Sequence, residues 1–137
     1  MRKLIAVVLF TITLLVNGNT QQLIDAQMAN TVTSTEINAV ASLFGVQFNA
    51  EYDVLVYRIS YTSTDLEGNV DTLSGMVGFP DDDQAFSLVV FQHGTTDGRY
   101  DVPSSGIFFN ALLETGMSST GFIVAAPDYY GMGIDEG

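Results

Sequence analysis

The hydrophobic and polar positions fall into segments of two different periods. Thr33 stands three residues before Glu36, and Ile37, Val40, Ala41 and Phe44 then recur at helical spacing up to Gly45. A capping box followed by a 3.6-residue apolar stripe and a glycine predicts a helix. From Tyr52 to Thr62 the period changes to two, with Val54, Val56 and Arg58 alternating against Leu55, Tyr57 and Ile59. Turn residues Asp65-Leu66-Glu67-Gly68-Asn69 follow, and Val70 to Phe79 resumes the strand pattern up to Pro80. The two runs predict an antiparallel hairpin. Asp81-Asp82-Asp83 reads as an exposed connection. Phe86 to Phe91 is short and continuously apolar, as expected of a central strand buried on both faces.

A loop is expected over 92–103. Ser104 or Ser105 can cap a helix through Phe108, Phe109, Leu112 and Leu113, which Gly116 is expected to end. Gly121 to Ala126 reads as another central strand. Strand, helix and strand make a parallel βαβ unit. The hairpin joined to that unit predicts an α/β fold with a mixed sheet. Residues 19–32 are polar and show no clear period, so they read as a lead-in.

The first eighteen residues follow a different logic. Arg2 and Lys3 precede an uncharged apolar stretch from Leu4 to Val16, and Asn17-Gly18 offers a cleavage point. This is the pattern of a signal peptide removed near Gly18, which implies a secreted or periplasmic protein without a stable membrane anchor. Cleavage leaves only Arg58 and Arg99 against sixteen acids, a formal charge of −14. Such a surface repels nucleic acids and anionic membranes. With no cysteine there is neither a disulfide framework nor a lipid-attachment thiol. A hydrophobic content of 47%, with nine Phe and six Tyr, excludes disorder.

Chemistry gathers where the two buried runs stop. Leu88-Val89-Val90-Phe91 ends in Gln92-His93-Gly94-Thr95, and the run to Ala126 ends in Pro127-Asp128-Tyr129-Tyr130-Gly131-Met132-Gly133. Open α/β sheets bind ligands just beyond the carboxyl ends of their strands. Main-chain N–H groups after His93 are candidate donors to a developing oxyanion, with Thr95 preferred and Gly94 beside it. An ordinary tight turn is the competing reading of His93-Gly94 alone. Asp128 reads as a residue that fixes its loop through backbone hydrogen bonds, Tyr129 and Tyr130 as pocket-lining or packing rings, and Gly131 and Gly133 as turn residues. Arg99 reads as a solvated loop arginine balanced by neighbouring acids, with contact to an anionic or carbonyl-bearing substrate as the competing reading.

In their order and spacing these pieces resemble the α/β-hydrolase superfamily, and within it the exported esterases and lipases of the secretory lipase type. Tyr52-Asp53-Val54, Tyr61-Thr62-Ser63-Thr64-Asp65, Ser74-Gly75 to Pro80, Gln92-His93-Gly94-Thr95, Pro103-Ser104 and the Pro-Asp-Tyr segment carry the resemblance over 33–137. It implies the N-terminal part of such a domain, truncated before the nucleophile elbow. The activity it implies is cleavage of a small-molecule or lipid carboxylic ester through a serine, without cofactor or metal. It makes His93 a structural residue of the oxyanion loop, since the superfamily's catalytic histidine comes late in the chain. Nucleophile, acid and base are all expected after Gly137.

Gly116-Met117-Ser118-Ser119-Thr120-Gly121 fails as an elbow, because no serine there has glycine two positions away on both sides. Ser118 and Ser119 read as loop serines. The Asp65–Asp71 stretch fails as a calcium loop, having glycine at position four and Met76 at position twelve. A serine peptidase of the same fold is an alternative. So is a non-catalytic binding module, against which the strand ending at Ala126 speaks, since no further strand follows to cover it.

Overall fold

The computed structural model describes residues 21–96, 98–105 and 111–134. The hairpin forms as the period-two pattern requires. Strands β2 (Val54–Thr64) and β3 (Val70–Pro80) pair antiparallel in unbroken register from Val54↔Pro80 to Thr64↔Val70. Asp65 closes the turn by accepting from the Glu67 and Asn69 N–H groups at 2.9 and 2.7 Å. The Asn69 side chain adds a third bond at 2.9 Å and is the main reason the Asp65 carboxyl lies below its usual range. Gly68, at φ 89°, takes the left-handed position that this turn needs.

The lead-in is a strand. Leu23–Val32 forms β1, antiparallel to β2, with register shifts between Leu23 and Asp25 and between Met28 and Asn30. Each irregularity changes which face the next side chains occupy, so the alternation cannot be read along the segment. The leader expected over 1–18 lies outside the described residues, within which no helix is long and apolar enough to cross a membrane.

Strand β4 (Ser87–Val90) pairs parallel with β5 (Phe122–Pro127), and β5 pairs antiparallel with β3. The sheet order is β1-β2-β3-β5-β4. The expected βαβ unit is therefore present in a mixed sheet. Two expectations change. β5 is central as read, and β3 and β4 supply the cover it was expected to lack, while β4, read as central, lies at one edge of the sheet. Leu88 and Val90 are 64% and 55% exposed rather than buried. An apolar run reports what a strand needs to cover it, and the covering elements are not among the described residues.

One face of the sheet is packed. Val54, Val56, Met76, Val124 and Ala126 are buried there. Helix α1 (Ser34–Leu43) adds Ile37, and Ala111 adds to the same core at the start of helix α2 (Leu112–Ser119). The predicted box caps α1: Glu36 N–H donates to Thr33 Oγ1 at 3.2 Å, and Thr33 N–H to Glu36 Oε2 at 2.8 Å. Of its predicted stripe only Ile37 is buried.

Helix α2 starts later and runs further than its sequence suggests. Ser104 and Ser105 belong to a separate 3-10 turn (Pro103–Ser105), and 106–110, with Phe108 and Phe109, lie outside the described residues. Gly116 sits inside the helix. Ser118 and Ser119 are not loop serines but the buried last turn of α2. Ser118 lies against Gly78 of β3, where any Cβ would strike its side chain. Glycine there lets helix and sheet approach closely. The opposite face carries Leu55, Tyr57, Val77 and Phe79 around a groove of about 580 Å³.

Candidate functional site

The two loops of interest leave the sheet side by side because their strands are neighbours. Phe91 N–H donates to the Ala125 carbonyl at 2.8 Å, extending the pairing one residue past β4. Beyond β5, Asp128 N–H donates to the Ser74 carbonyl at 2.9 Å. His93 and Tyr129 then meet face to face, with ring centroids 4.0 Å apart and planes 20° from parallel. The Tyr129 hydroxyl donates to the His93 carbonyl at 2.6 Å. His93 Nδ1 lies 2.8 Å from the Gly94 carbonyl, which can only accept, so Nδ1 carries the proton.

That last bond sets the orientation of the next peptide. In a trans peptide the carbonyl and the following N–H point in opposite directions, and no cis bond occurs among the described residues. The Gly94 carbonyl is turned onto the imidazole, so the Thr95 N–H points away from it. Gly94 and Thr95 are both exposed. A Cβ built on Gly94 would meet nothing within 4 Å, so packing of the described residues does not demand glycine there.

Asp128 is 1% exposed and ties three segments together. It accepts from the Ser74 hydroxyl of β3 at 2.6 Å, from Ser104 N–H at 3.2 Å, and from the Ser104 hydroxyl. Ser74 Oγ in turn accepts from Ile134 N–H at 3.2 Å. The side chain thus fixes its loop chiefly through serine hydroxyls, with one main-chain donor, rather than through backbone bonds alone. Gly131 and Gly133 turn the segment at φ 74° and 64°. Only glycine fits at 133, where a Cβ would land on Ser74 Oγ and the Asp128 carboxylate. Arg99 is no free loop arginine: its Nε donates to the Gly133 carbonyl at 3.2 Å, and its own carbonyl accepts from Gly133 N–H at 3.0 Å.

Ser74, Ser104, Tyr61 and Glu114 are the functional-end residues that sequence reasoning missed. The serines meet Asp128 across 54 and 24 positions, and no local pattern marks such pairings. Burial raises the Tyr61 hydroxyl above its usual pKa, and the Asp128 charge adds to the rise. Glu114, 2% exposed on α2, is likewise raised by burial and drawn partly back by its own backbone N–H and by His93. His93 Nε2 is buried without a hydrogen-bond partner among the described residues.

No family model and no curated protein matches the sequence. Solved structures do. A Legionella pneumophila protein assigned as a hydrolase superposes with a TM-score of 0.74 at 25% identity, over 82% of this chain and 31% of its own. A variant of the rice cell wall degrading esterase LipA from Xanthomonas oryzae gives 0.71 at 24% identity, over 82% and 30%. LipA itself gives 0.68 at 22% identity with the same coverage. The chain thus spans about a third of the length of the proteins it matches. The superposition and the mixed five-stranded sheet show that this chain has part of an α/β-hydrolase fold.

Proposed function

We propose that this chain supplies the oxyanion side of a serine esterase site whose nucleophile, acid and base come from chain beyond Gly137. The observation that carries the reading is the peptide between Gly94 and Thr95. Its carbonyl is held by His93 Nδ1 and its N–H is turned the other way, next to an exposed residue at the carboxyl end of β4. A donor fixed before the reaction stabilises developing negative charge without reorganising, and one such donor is worth about 3–4 kcal/mol. Likeness to a hydrolase and an esterase supports the reaction class. The open β4 edge, with Leu88 and Val90 exposed, argues against a self-contained binding module. Residues 1–18 are read as an export leader, which N-terminal sequencing of the mature protein would test.

In this mechanism the serine oxygen attacks the ester carbonyl, whose oxygen gains charge and settles against the Thr95 N–H. Collapse expels the alcohol, and water then releases the acid. His93 takes no proton in either half. It orients the donor peptide, and Tyr129 holds His93.

The full-length protein should hydrolyse a p-nitrophenyl ester, and residues 1–137 alone should not exceed background. His93→Ala in the full-length enzyme should lower kcat by about 10–100-fold with KM nearly unchanged, as for loss of transition-state stabilisation. A full-length protein without esterase activity would overturn the reaction class. An active enzyme indifferent to His93→Ala would overturn the placement of the oxyanion side.

A further inference from the structure

Beyond Lys3 the chain has only two basic residues, Arg58 and Arg99, and the fold brings both to one cleft of about 530 Å³. Arg58 comes from the middle of β2, on the packed face of the sheet, and Arg99 from the loop after the His93 turn. Each guanidinium is anchored by a main-chain carbonyl. Arg58 Nη2 donates to Ser105 O at 3.1 Å, and Arg99 Nε donates to Gly133 O at 3.2 Å. A carbonyl holds a guanidinium in place without neutralising it, and an arginine has five N–H donors. Most of each fork therefore stays available.

The excess of carboxylates makes this arrangement informative. With sixteen acids in the chain, pairing two arginines with neighbouring carboxylates was the simplest outcome, yet their hydrogen bonds among the described residues go to carbonyls. Among the described residues Asp25 is the one carboxylate on the cleft wall, and Gln27 Nε2 donates to it at 2.8 Å. Two guanidinium charges outweigh it. The Ser60 hydroxyl and the Tyr100 ring complete the wall, with Arg99 Cζ 5.5 Å from the ring centroid. The Asp128 carboxylate lies behind this wall, where the Ser74 and Ser104 hydroxyls donate to it, and acids farther off than about 8 Å are largely screened at physiological ionic strength.

We propose that this cleft binds a small ligand through an oxyanionic group, a carboxylate or a phosphate, held between Arg58 and Arg99. The cleft borders the Asp128 cluster and shares Ser74, Ser104 and Gly133 with it, but His93 and Tyr129 do not line it, and the proposal stands whether or not the esterase reading does. Planar, forked donors suit the paired oxygens of such groups.

The test is titration calorimetry on the full-length protein with sodium acetate and with inorganic phosphate, at ionic strength held constant with sodium chloride. Saturable binding of at least one anion is expected, and the stronger of the two identifies the ligand's group. Arg58→Gln should weaken that binding by tenfold or more, and Arg58→Lys, which keeps the charge but not the fork, by less. A measurement without substitution guards against misfolded variants: the bound anion should slow phenylglyoxal modification of Arg58 and Arg99 together, read by peptide mass spectrometry. No saturable binding of either anion would overturn the proposal. So would binding that leaves both arginines equally reactive, or that folded Arg58→Gln retains in full.

Discussion

Glu114 shows how a single buried group links the core to the candidate site. It is 2% exposed on α2, and burial pushes its carboxyl above the usual range while its own N–H and His93 pull it part of the way back. The folded protein therefore holds this proton more tightly than the unfolded chain does. Stability is full below the unfolded carboxyl pKa and falls as pH rises from there through the folded value. Glu114→Gln removes the ionised state at the same volume. In the full-length protein it should raise the melting temperature at pH 7, with the gain vanishing below the unfolded carboxyl pKa. Thermal melts at pH 7 and below that pKa check this, and an equal shift at both would assign the effect to packing instead. Asp128 is buried by the opposite device: two hydroxyls and a main-chain N–H converge on its carboxylate, and Gly133 leaves them room.

At the scale of elements, each piece records how locally its instructions are written. Helix α1 begins where Thr33 and Glu36 say it should, because a capping box is complete within four residues. The β2–β3 hairpin follows its alternation for the same reason. β4 is different. Its apolar run demands cover on both faces, while Leu88 and Val90 are open to solvent on the face where Leu55 and Val77 also lie. Leu88→Lys with Val90→Lys should therefore act in opposite directions in two contexts. In residues 1–137 alone the pair should reduce self-association, since charge blunts an exposed edge. In the full-length protein it should destabilise by about 2–4 kcal/mol, the cost of placing two charges where the apolar run calls for cover. Sedimentation of the short chain and urea melts of the long one read the two effects.

At the scale of the whole molecule, charge is the dominant property. The chain carries −12, and its two bases beyond Lys3 stand at one cleft, so the remaining surface repels itself. Raising sodium chloride from about 20 mM to about 300 mM shortens the Debye length from roughly 20 Å to roughly 6 Å. The melting temperature of residues 1–137 should rise over that range by a few degrees. A fall would mean that attractive pairs, not self-repulsion, dominate the electrostatics of folding.

The sequence by itself determined what is written within a few residues or a simple period: the capped helix, the hairpin, the βαβ unit, and the two strand endings at His93-Gly94-Thr95 and Pro127-Asp128-Tyr129. Only the tertiary structure decided that residues 23–32 are a strand, because two register shifts erase its alternation. It alone put β4, whose composition reads as a central strand, at the edge, since strand order depends on the crossover and not on a strand's composition. It alone matched Asp128 with Ser74 and Ser104, and Arg58 with Arg99. Those pairings join distant positions whose side chains carry no mark of one another. Proximity in such cases is a property of how the sheet is wound, and it appears only once the chain has folded.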